Sequence, residues 1–181
     1  MAARAGAGSG AASVWSTGML APRIAKTLMV LGLAAFAILV TVNNITDYGS
    51  NFAFVSHVLS MDDTFPDNAL LWRAITDPTL WHIGYWLIIA GEGVTGALFL
   101  AAAVAMFRTL SAPASGFARA KRLVHYGAAT GFLVWFVGFM IVGGEWFAMW
   151  QSSVWNGQDA AFRFYMTILG VLIYVSLPDP D

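Results

Sequence analysis

The sequence LWHIGYWLIIAGEGVTGALFLAAAVAMF, Leu80–Phe107, contains one charged side chain, that of Glu92. A helix needs about 20 apolar residues to cross the hydrocarbon core of a membrane, and this run is longer, so it predicts a tilted or projecting transmembrane helix. Its apolar residues are continuous, whereas barrel strands alternate with period two. The run therefore predicts a helical membrane protein and argues against a barrel.

Outside this run, the chain holds further apolar stretches of sufficient length, and these are Ile24–Val42, Leu123–Trp150 and Ala160–Leu177. The sequence thus predicts an all-α membrane protein, a four-helix transmembrane bundle that forms a single domain over residues 23–177. Residues 1–22 are rich in Ala, Gly and Ser and predict a disordered or loosely ordered N-terminal arm. Residues 178–181 form a short tail.

The composition agrees with lipid as the solvent. Of the 181 residues, 59% are hydrophobic and 10% are charged, whereas an average soluble domain has about 25% charged residues. The chain has no cysteine, which excludes disulfides, thiolate metal sites and cysteine nucleophiles. Its net charge of −1 argues against nucleic acid as a partner, because phosphate binding needs a basic surface.

The distribution of cations predicts the orientation, because Lys and Arg near helix ends remain in the cytoplasm. Only two of the nine cations, Arg73 and Arg163, lie on the side of the long loop Asn43–Thr79. We therefore expect both termini in the cytoplasm and the loop outside. The bacterial inner membrane is favoured. The alternative is the mitochondrial inner membrane, because an arm without acidic residues is also typical of transit peptides.

The outer loop Asn43–Thr79 is long enough to need structure of its own. Asn51–Met61 places apolar side chains on one broad face, and Pro66 fits the first turn of a second helix that ends at Ala74. The loop therefore predicts one or two amphipathic helices at the outer surface. Asp77 and Pro78 suit the N-cap and the first residue of the next span.

A further turn signal, Asn156-Gly157, separates the third and fourth predicted spans. Asn and Gly are the residues that tight turns favour. We therefore expect these two spans to be antiparallel neighbours.

The two glutamates of the chain, Glu92 and Glu145, both lie inside predicted spans. An unpaired charge there costs at least ~2.5–3.5 kcal/mol, so each carboxylate should face the protein interior and have a partner. Their depths differ by about 10 Å if both helices stand straight. They are therefore not expected to form one site of paired carboxylates.

Arg163 lies at a depth comparable to that of Glu145, which predicts a buried ion pair that relieves both desolvation costs. Gly127, Gly131, Gly138 and Glu145 are spaced by four, seven and seven residues, which places Glu145 on the packed face of an α-helix. A ligand, proton or ion site at Glu145 is the alternative.

Two roles remain open for Glu92: it either forms part of a ligand site or serves only to stabilise the bundle. Its carboxyl group could form a hydrogen bond with Thr95, Tyr126 or Asn44 across a helix contact. The inner half of this span, Ala97–Phe107, offers no polar chain, which argues against proton or ion transport.

The histidines give little support for haem, which would need two imidazoles at one depth. His82 and His125 begin antiparallel spans at opposite membrane faces, and His57 lies in the loop. We therefore predict no cofactor. We also predict no metal site and no enzyme activity, because no nucleophile elbow, phosphate-binding glycine loop or HExxH helix is present.

A basic cluster near the inner face suits contact with anionic lipid heads. Its members are Arg119, Lys121, Arg122 and His125.

Several motifs resemble a bacterial family called predicted small integral membrane proteins. The motifs are Asn43–Asn51 (NNITDYGSN), Trp72–Ile75 (WRAI), Gly143–Ser152 (GGEWFAMWQS), Trp155–Gln158 (WNGQ) and Phe162–Phe164 (FRF). The resemblance covers roughly residues 24–177 and leaves out the arm and the tail. It implies four spans and no assigned activity, so it supplies no catalytic residues.

Polar side chains and tryptophans gather near the predicted outer interface. They either tie the outer loop to the bundle or form a shallow site for a ligand or partner. Beside Arg163, the members of this outer cluster are Asn43, Asn44, Asp47, Asn51, Trp146, Trp150, Gln151, Trp155 and Asn156.

The sequence favours a non-catalytic accessory or structural subunit that packs on a larger inner-membrane complex of respiratory or photosynthetic electron transport. The expected partners are membrane lipids and that complex. The alternative is a binding protein or transporter for a small molecule, quinone, lipid or cation, which would use Glu92, Glu145 and the outer cluster.

Overall fold

The computed structural model describes the backbone of residues 9–179 and the side chains of residues 20–179. Its helices are α1 (Ser9–Thr46), α2 (Tyr48–Ser60), α3 (Pro78–Arg108), α4 (Ala114–Ala120), α5 (Arg122–Phe132) and α6 (Gln158–Ser176). Helix α5 continues without a break as a π-helix over Leu133–Trp146. Short 3-10 turns lie at Leu71–Arg73 and Met149–Gln151, and residues 9–179 contain no strand.

Four helical segments of the described chain are long and apolar enough to cross a membrane. They are Leu20–Thr46, Pro78–Arg108, Ala114–Trp146 and Gln158–Ser176. This confirms the prediction of an all-α bundle with four spans. The third span ends at Trp146, before its predicted end at Trp150. The reason is that Ala148 adopts a left-handed conformation with φ 52°, which interrupts a right-handed helix.

The predictions for the N-terminal arm (residues 1–22) and for the tail (residues 178–181) lie partly outside the described residues, which exclude residues 1–8 and 180–181. Helix α1 begins at Ser9, inside the predicted arm.

The spans run alternately up and down, so the bundle has two different ends. At one end, the Arg23 guanidinium donates to the carbonyl oxygens of Leu110 (3.0 Å) and Ala112 (2.6 Å). The Lys26 ammonium donates to the carbonyl oxygen of Leu177 at 2.7 Å. We call this the basic end. The opposite loop end carries residues 47–77 and 147–157.

Helices α1 and α3 form the most extensive contact of the bundle. Gly96 permits their close approach, because a Cβ atom there would lie 2.8 Å from Cγ1 and 3.1 Å from the backbone nitrogen of Ile38. Small side chains at transmembrane contacts allow helix backbones to approach in this way. On the other side, α3 packs against α5, and the π-helix packs against α6.

The outer loop contains one of the two predicted surface helices. Helix α2 corresponds to the predicted Asn51–Met61 segment and ends at Ser60, because the next residue, Met61, has a left-handed conformation with φ 55°. The second predicted helix, Pro66–Ala74, is wrong, since only the turn Leu71–Arg73 is helical. The Asn68 side chain accepts from the Leu70 amide at 2.9 Å, a local bond that competes with helix formation.

The predicted helix start at Asp77 is confirmed. Its carboxylate accepts from the Thr79 amide at 2.8 Å, and Pro78 is the first residue of α3. The Asn156 side chain accepts from the Gln158 amide at 3.1 Å, where α6 begins. The link between the π-helix and α6 is longer than a tight turn, because it includes the Met149–Gln151 turn.

Candidate functional site

The candidate site is built around Glu92, whose side chain is buried near the middle of α3. Asn44 Nδ2 donates to Glu92 Oε2 at 2.7 Å, and the Tyr85 hydroxyl donates to the Asn44 backbone carbonyl at 3.1 Å. Of the three partners that the sequence suggested for Glu92, the structure therefore places Asn44 in contact. Thr95 bonds instead to Gly91 and Thr130, while Tyr126 is 62% exposed.

A cavity of about 220 Å³ adjoins this carboxyl group. Helices α1, α2, α3 and α6, the π-helix and Gly157 at the start of α6 contribute to its wall, which consists mainly of apolar and aromatic side chains. The polar side chains in the wall are those of Asn44, Asn51, Tyr85 and Glu92. This Glu92 cavity is smaller than the roughly 300–1,000 Å³ typical of pockets for drug-sized ligands. Its size therefore suits one small chemical group.

One carboxyl oxygen of Glu92 remains available to such a group. Among residues 20–179, Oε1 accepts no hydrogen bond, and the hydrogen bond from Asn44 goes to Oε2. Each oxygen of a carboxyl group can accept hydrogen bonds, so a donor inside the Glu92 cavity can bond to Oε1 while Asn44 keeps its bond to Oε2.

The predicted ion pair between Glu145 and Arg163 is wrong. Both side chains are exposed, and none of the ion pairs within residues 20–179 joins them. The reason is the π-helix from Leu133 to Trp146, in which backbone bonds connect residues five apart, as from Phe147 to Val142. Positions seven apart then no longer share a face, so Glu145 leaves the glycine stripe.

The outer cluster predicted from the sequence divides into three groups. Asn44 and Asn51 line the Glu92 cavity. Asn43, Asp47 and Asn156 serve local turns: the carbonyl of Asn43 accepts from the Asp47 amide, and the Asp47 carboxylate accepts from Ser50.

The other members of the outer cluster tie the connections of the loop end together. The Trp155 ring stacks on His57 with centroids 4.4 Å apart, and the Gln151 side chain accepts from the Phe65 amide at 3.1 Å. Trp150 meets Phe65 edge to face at 5.8 Å. These contacts agree with the first of the two roles expected for this cluster, which is to tie the outer loop to the bundle.

Arg73, which the sequence did not single out for a site, holds the end of the π-helix. Its guanidinium lies 4.5 Å from the centroid of the Trp146 ring and donates to the Trp146 carbonyl at 3.2 Å. The positive charge on the loop side thus contacts an aromatic face and the last carbonyl groups of a helix.

The basic end contains a buried cluster that the sequence did not predict. The Asp179 carboxylate accepts from Lys26 at 2.8 Å and from Lys121 at 2.6 Å, and both ammonium groups also donate to the Leu177 carbonyl. The exposed fraction of each of the three side chains is at most 8%. We call these residues the tail clamp. Two features of the sequence could have indicated this cluster: each lysine lies near the end of a span, and the tail contains acidic residues.

The tail clamp also corrects the predicted basic cluster. Lys121 does not face lipid heads, because its ammonium group is buried against Asp179. The other members, Arg119, Arg122 and His125, are exposed.

The charges of the tail clamp determine how Asp179 titrates. Burial by itself raises the pKa of its carboxyl group, but the hydrogen bonds and charges of Lys121 and Lys26 outweigh that effect and hold the pKa below its ordinary value.

We predict that the tail clamp makes the bundle acid-sensitive. Because the Asp179 pKa is depressed in the folded state, its stabilisation is fully present above the unfolded value of about 3.9 and is lost as the pH falls through the folded value. Thermal unfolding in detergent should therefore show a midpoint that falls more steeply below about pH 4 in the wild type than in Asp179→Asn. Identical slopes for the two proteins would contradict the prediction.

No curated protein and no solved structure matches this chain. A family model described as predicted small integral membrane protein (DUF2165) matches residues 22–178. The match covers the first span from residue 22 onward, the other three spans, the Glu92 cavity and both lysines of the tail clamp, and it confirms the resemblance seen in the sequence motifs. The chain therefore belongs to the family of predicted small integral membrane proteins.

Proposed function

We propose that this integral membrane protein is a non-catalytic binding protein that holds a hydrogen-bond-donating or cationic group in the Glu92 cavity. The observation that carries the proposal is the carboxyl group of Glu92, a residue that is 2% exposed and lines a cavity, and whose Oε1 atom accepts no hydrogen bond among residues 20–179. Acidic residues inside membrane spans are rare and costly, and they commonly mark functional sites. Asn44 orients the carboxyl group, and Tyr85 orients Asn44.

The test is purification from native membranes in mild detergent, followed by mass spectrometry and an absorption spectrum. We predict a stoichiometric small molecule on the wild type and at least a tenfold lower occupancy on Glu92→Gln, which corresponds to about 1.4 kcal/mol of binding energy. Glu145→Gln, which removes an exposed carboxylate, should retain the molecule. Equal occupancy in all three proteins, or no molecule on the wild type, would contradict the proposal.

A second candidate function is that of an accessory subunit on a larger inner-membrane complex of respiratory or photosynthetic electron transport. The observation in its favour is that at most 39% of the apolar window of any span is buried inside the bundle. Leu39, Leu87 and Phe107 are each 60–69% exposed and need lipid or another protein as a neighbour. A particle of single-chain mass in mild detergent would exclude this role, and a stable, defined complex would support it.

We also propose that the basic end lies in the cytoplasm of a bacterium and the loop end outside, since cations concentrate near the basic end. The chain has no cysteine, so single cysteines report the orientation directly. An impermeant maleimide added to intact cells should label Ser60→Cys and should label Ser115→Cys only after permeabilisation. The opposite pattern would invert the orientation.

A further inference from the structure

A second cavity adjoins the Glu92 cavity at the loop end. It has a volume of about 280 Å³, and every side chain in its wall is apolar. We call it the apolar chamber. The two cavities share Phe54, Val55, Ile88 and Phe139 in their walls. The Phe54 and Phe139 rings stack with centroids 6.0 Å apart, and neither ring is fully buried. A single layer of side chains therefore separates the polar cavity from the apolar one.

A groove of about 450 Å³ extends the apolar chamber along the outside of the bundle, between α3 and the π-helix. The groove and the chamber share Leu87, Ile88 and Gly138. Leu87 is 68% exposed and Leu133, also in the groove wall, is 60% exposed, so the groove faces the membrane. From Leu87 to Val94 it follows about 10 Å of α3, at 1.5 Å per residue. The groove and chamber together form an apolar surface that leads from the bilayer toward Glu92.

From this juxtaposition we infer that the ligand of Glu92 is a single-chain amphiphile drawn from the bilayer. Its amine or hydroxyl head binds Oε1 of Glu92, and its hydrocarbon chain lies in the apolar chamber and the groove, for which the stacked rings of Phe54 and Phe139 between the two cavities must move apart. The inference rests on the proposed function and specifies its ligand.

The chemistry of the walls selects this class of ligand. A small water-soluble cation would gain nothing from the apolar chamber, whose wall offers it no acceptor side chain. An ionised fatty acid has no proton to donate, so its head would leave the acceptor Oε1 of Glu92 without a hydrogen bond. A long-chain amine or alcohol satisfies both cavities, because its head donates to the free acceptor and its chain lies against walls that are apolar except at Thr130.

Gly138 offers a way to block the chain without disturbing the head. A Cβ atom there would meet the Leu133 carbonyl oxygen at 3.7 Å, an ordinary contact, and no other neighbouring atom within 4 Å. A leucine at this position would therefore occupy the space shared by the groove and the chamber. Gly170 on α6 is a matched control, because its Cβ would meet nothing within 4 Å and the residue is exposed.

The test uses dodecylamine that carries a diazirine at the end of its chain, with the corresponding dodecanoic acid as a control probe. In nanodiscs, irradiation should attach the amine to the π-helix peptide that contains Val134, and excess unlabelled dodecylamine should compete. We expect at least tenfold less labelling in Gly138→Leu and in Glu92→Gln, and unchanged labelling in Gly170→Leu. The acid should label the peptide at least tenfold less than the amine does.

The outcomes separate the two proposals. If Glu92→Gln loses the co-purifying molecule but Gly138→Leu binds and labels like the wild type, the site stands and the amphiphile inference is overturned. If amine and acid label the groove equally, recognition of the head is overturned. If neither Glu92→Gln nor Gly138→Leu changes the labelling, both proposals fail. An unchanged unfolding midpoint for Gly138→Leu establishes that its loss of labelling reflects the blocked groove.

Discussion

Replacing Asp179 by alanine is expected to lower the free energy of unfolding by about 3–5 kcal/mol, the usual cost of removing one partner from a buried ion pair. The substitution leaves the ammonium groups of Lys26 and Lys121 buried without their shared carboxylate. The Leu177 carbonyl would remain as their common acceptor, but it carries no full charge. Unfolding in mild detergent, followed by circular dichroism during a denaturant titration, measures the loss.

Asp62→Ala is the matched control for this experiment. Asp62 pairs with His57, but its side chain is 50% exposed, so we expect a change of at most about 1 kcal/mol. A combined variant with Lys26→Met, Lys121→Met and Asp179→Leu should recover part of the loss, because it removes all three charges together. Equal effects of Asp179→Ala and Asp62→Ala would show that the tail clamp contributes no special stability.

The tail clamp gives the last residues of the described chain a defined role. Lys26 belongs to α1, Lys121 precedes α5, and Asp179 follows α6. Three of the four spans are thus joined through one carboxylate at the basic end. At the same end, the Arg23 side chain donates hydrogen bonds to backbone carbonyl groups of the connection between α3 and α4 and so joins that connection to α1.

The parts of the fold that depend on the length of continuous apolar runs were predictable from the sequence. Long continuous runs locate the four spans, and Asp77 with Pro78 fixes the start of α3 because capping is a local interaction. The burial of Glu92 was also predictable, since a mid-span carboxylate must face the interior. Asn44 was one of three candidate partners, and only the rotation of α1 against α3 selects it.

The positions of Glu145 and Asp179 could not be derived in this way. Composition sets the length of an apolar helix but does not set its hydrogen-bond register, and a π-helix has the same apolar residues as an α-helix. The seven-residue spacing that placed Glu145 on the packed face of the helix therefore failed where the helix becomes a π-helix at Leu133. Asp179 was overlooked because a charged terminal segment outside the spans normally indicates a solvated tail.

Trp135→Ala is expected to destabilise the bundle by about 3–5 kcal/mol, the range for large-to-small changes of an aromatic side chain in a packed core. Trp135 is 2% exposed and forms part of the wall of the Glu92 cavity. Its ring meets those of Phe36 and Phe164, each with a centroid distance of 5.8 Å. Inside a bilayer, helix association depends on such packing, because lipid chains replace water as the competing solvent.

Trp72→Ala is the matched control for Trp135→Ala, because Trp72 is 71% exposed and its loss should change stability by no more than about 0.5 kcal/mol. Trp135→Phe keeps an aromatic ring against Phe36 and Phe164 and should fall between the two. The same denaturant titration in mild detergent ranks the three variants. Each cubic ångström of residual cavity costs about 24 cal/mol, so a Trp135→Ala loss near the lower limit means that the wall collapses into the gap. A loss as small as that of Trp72→Ala would mean that the wall around Glu92 is not a tightly packed part of the core.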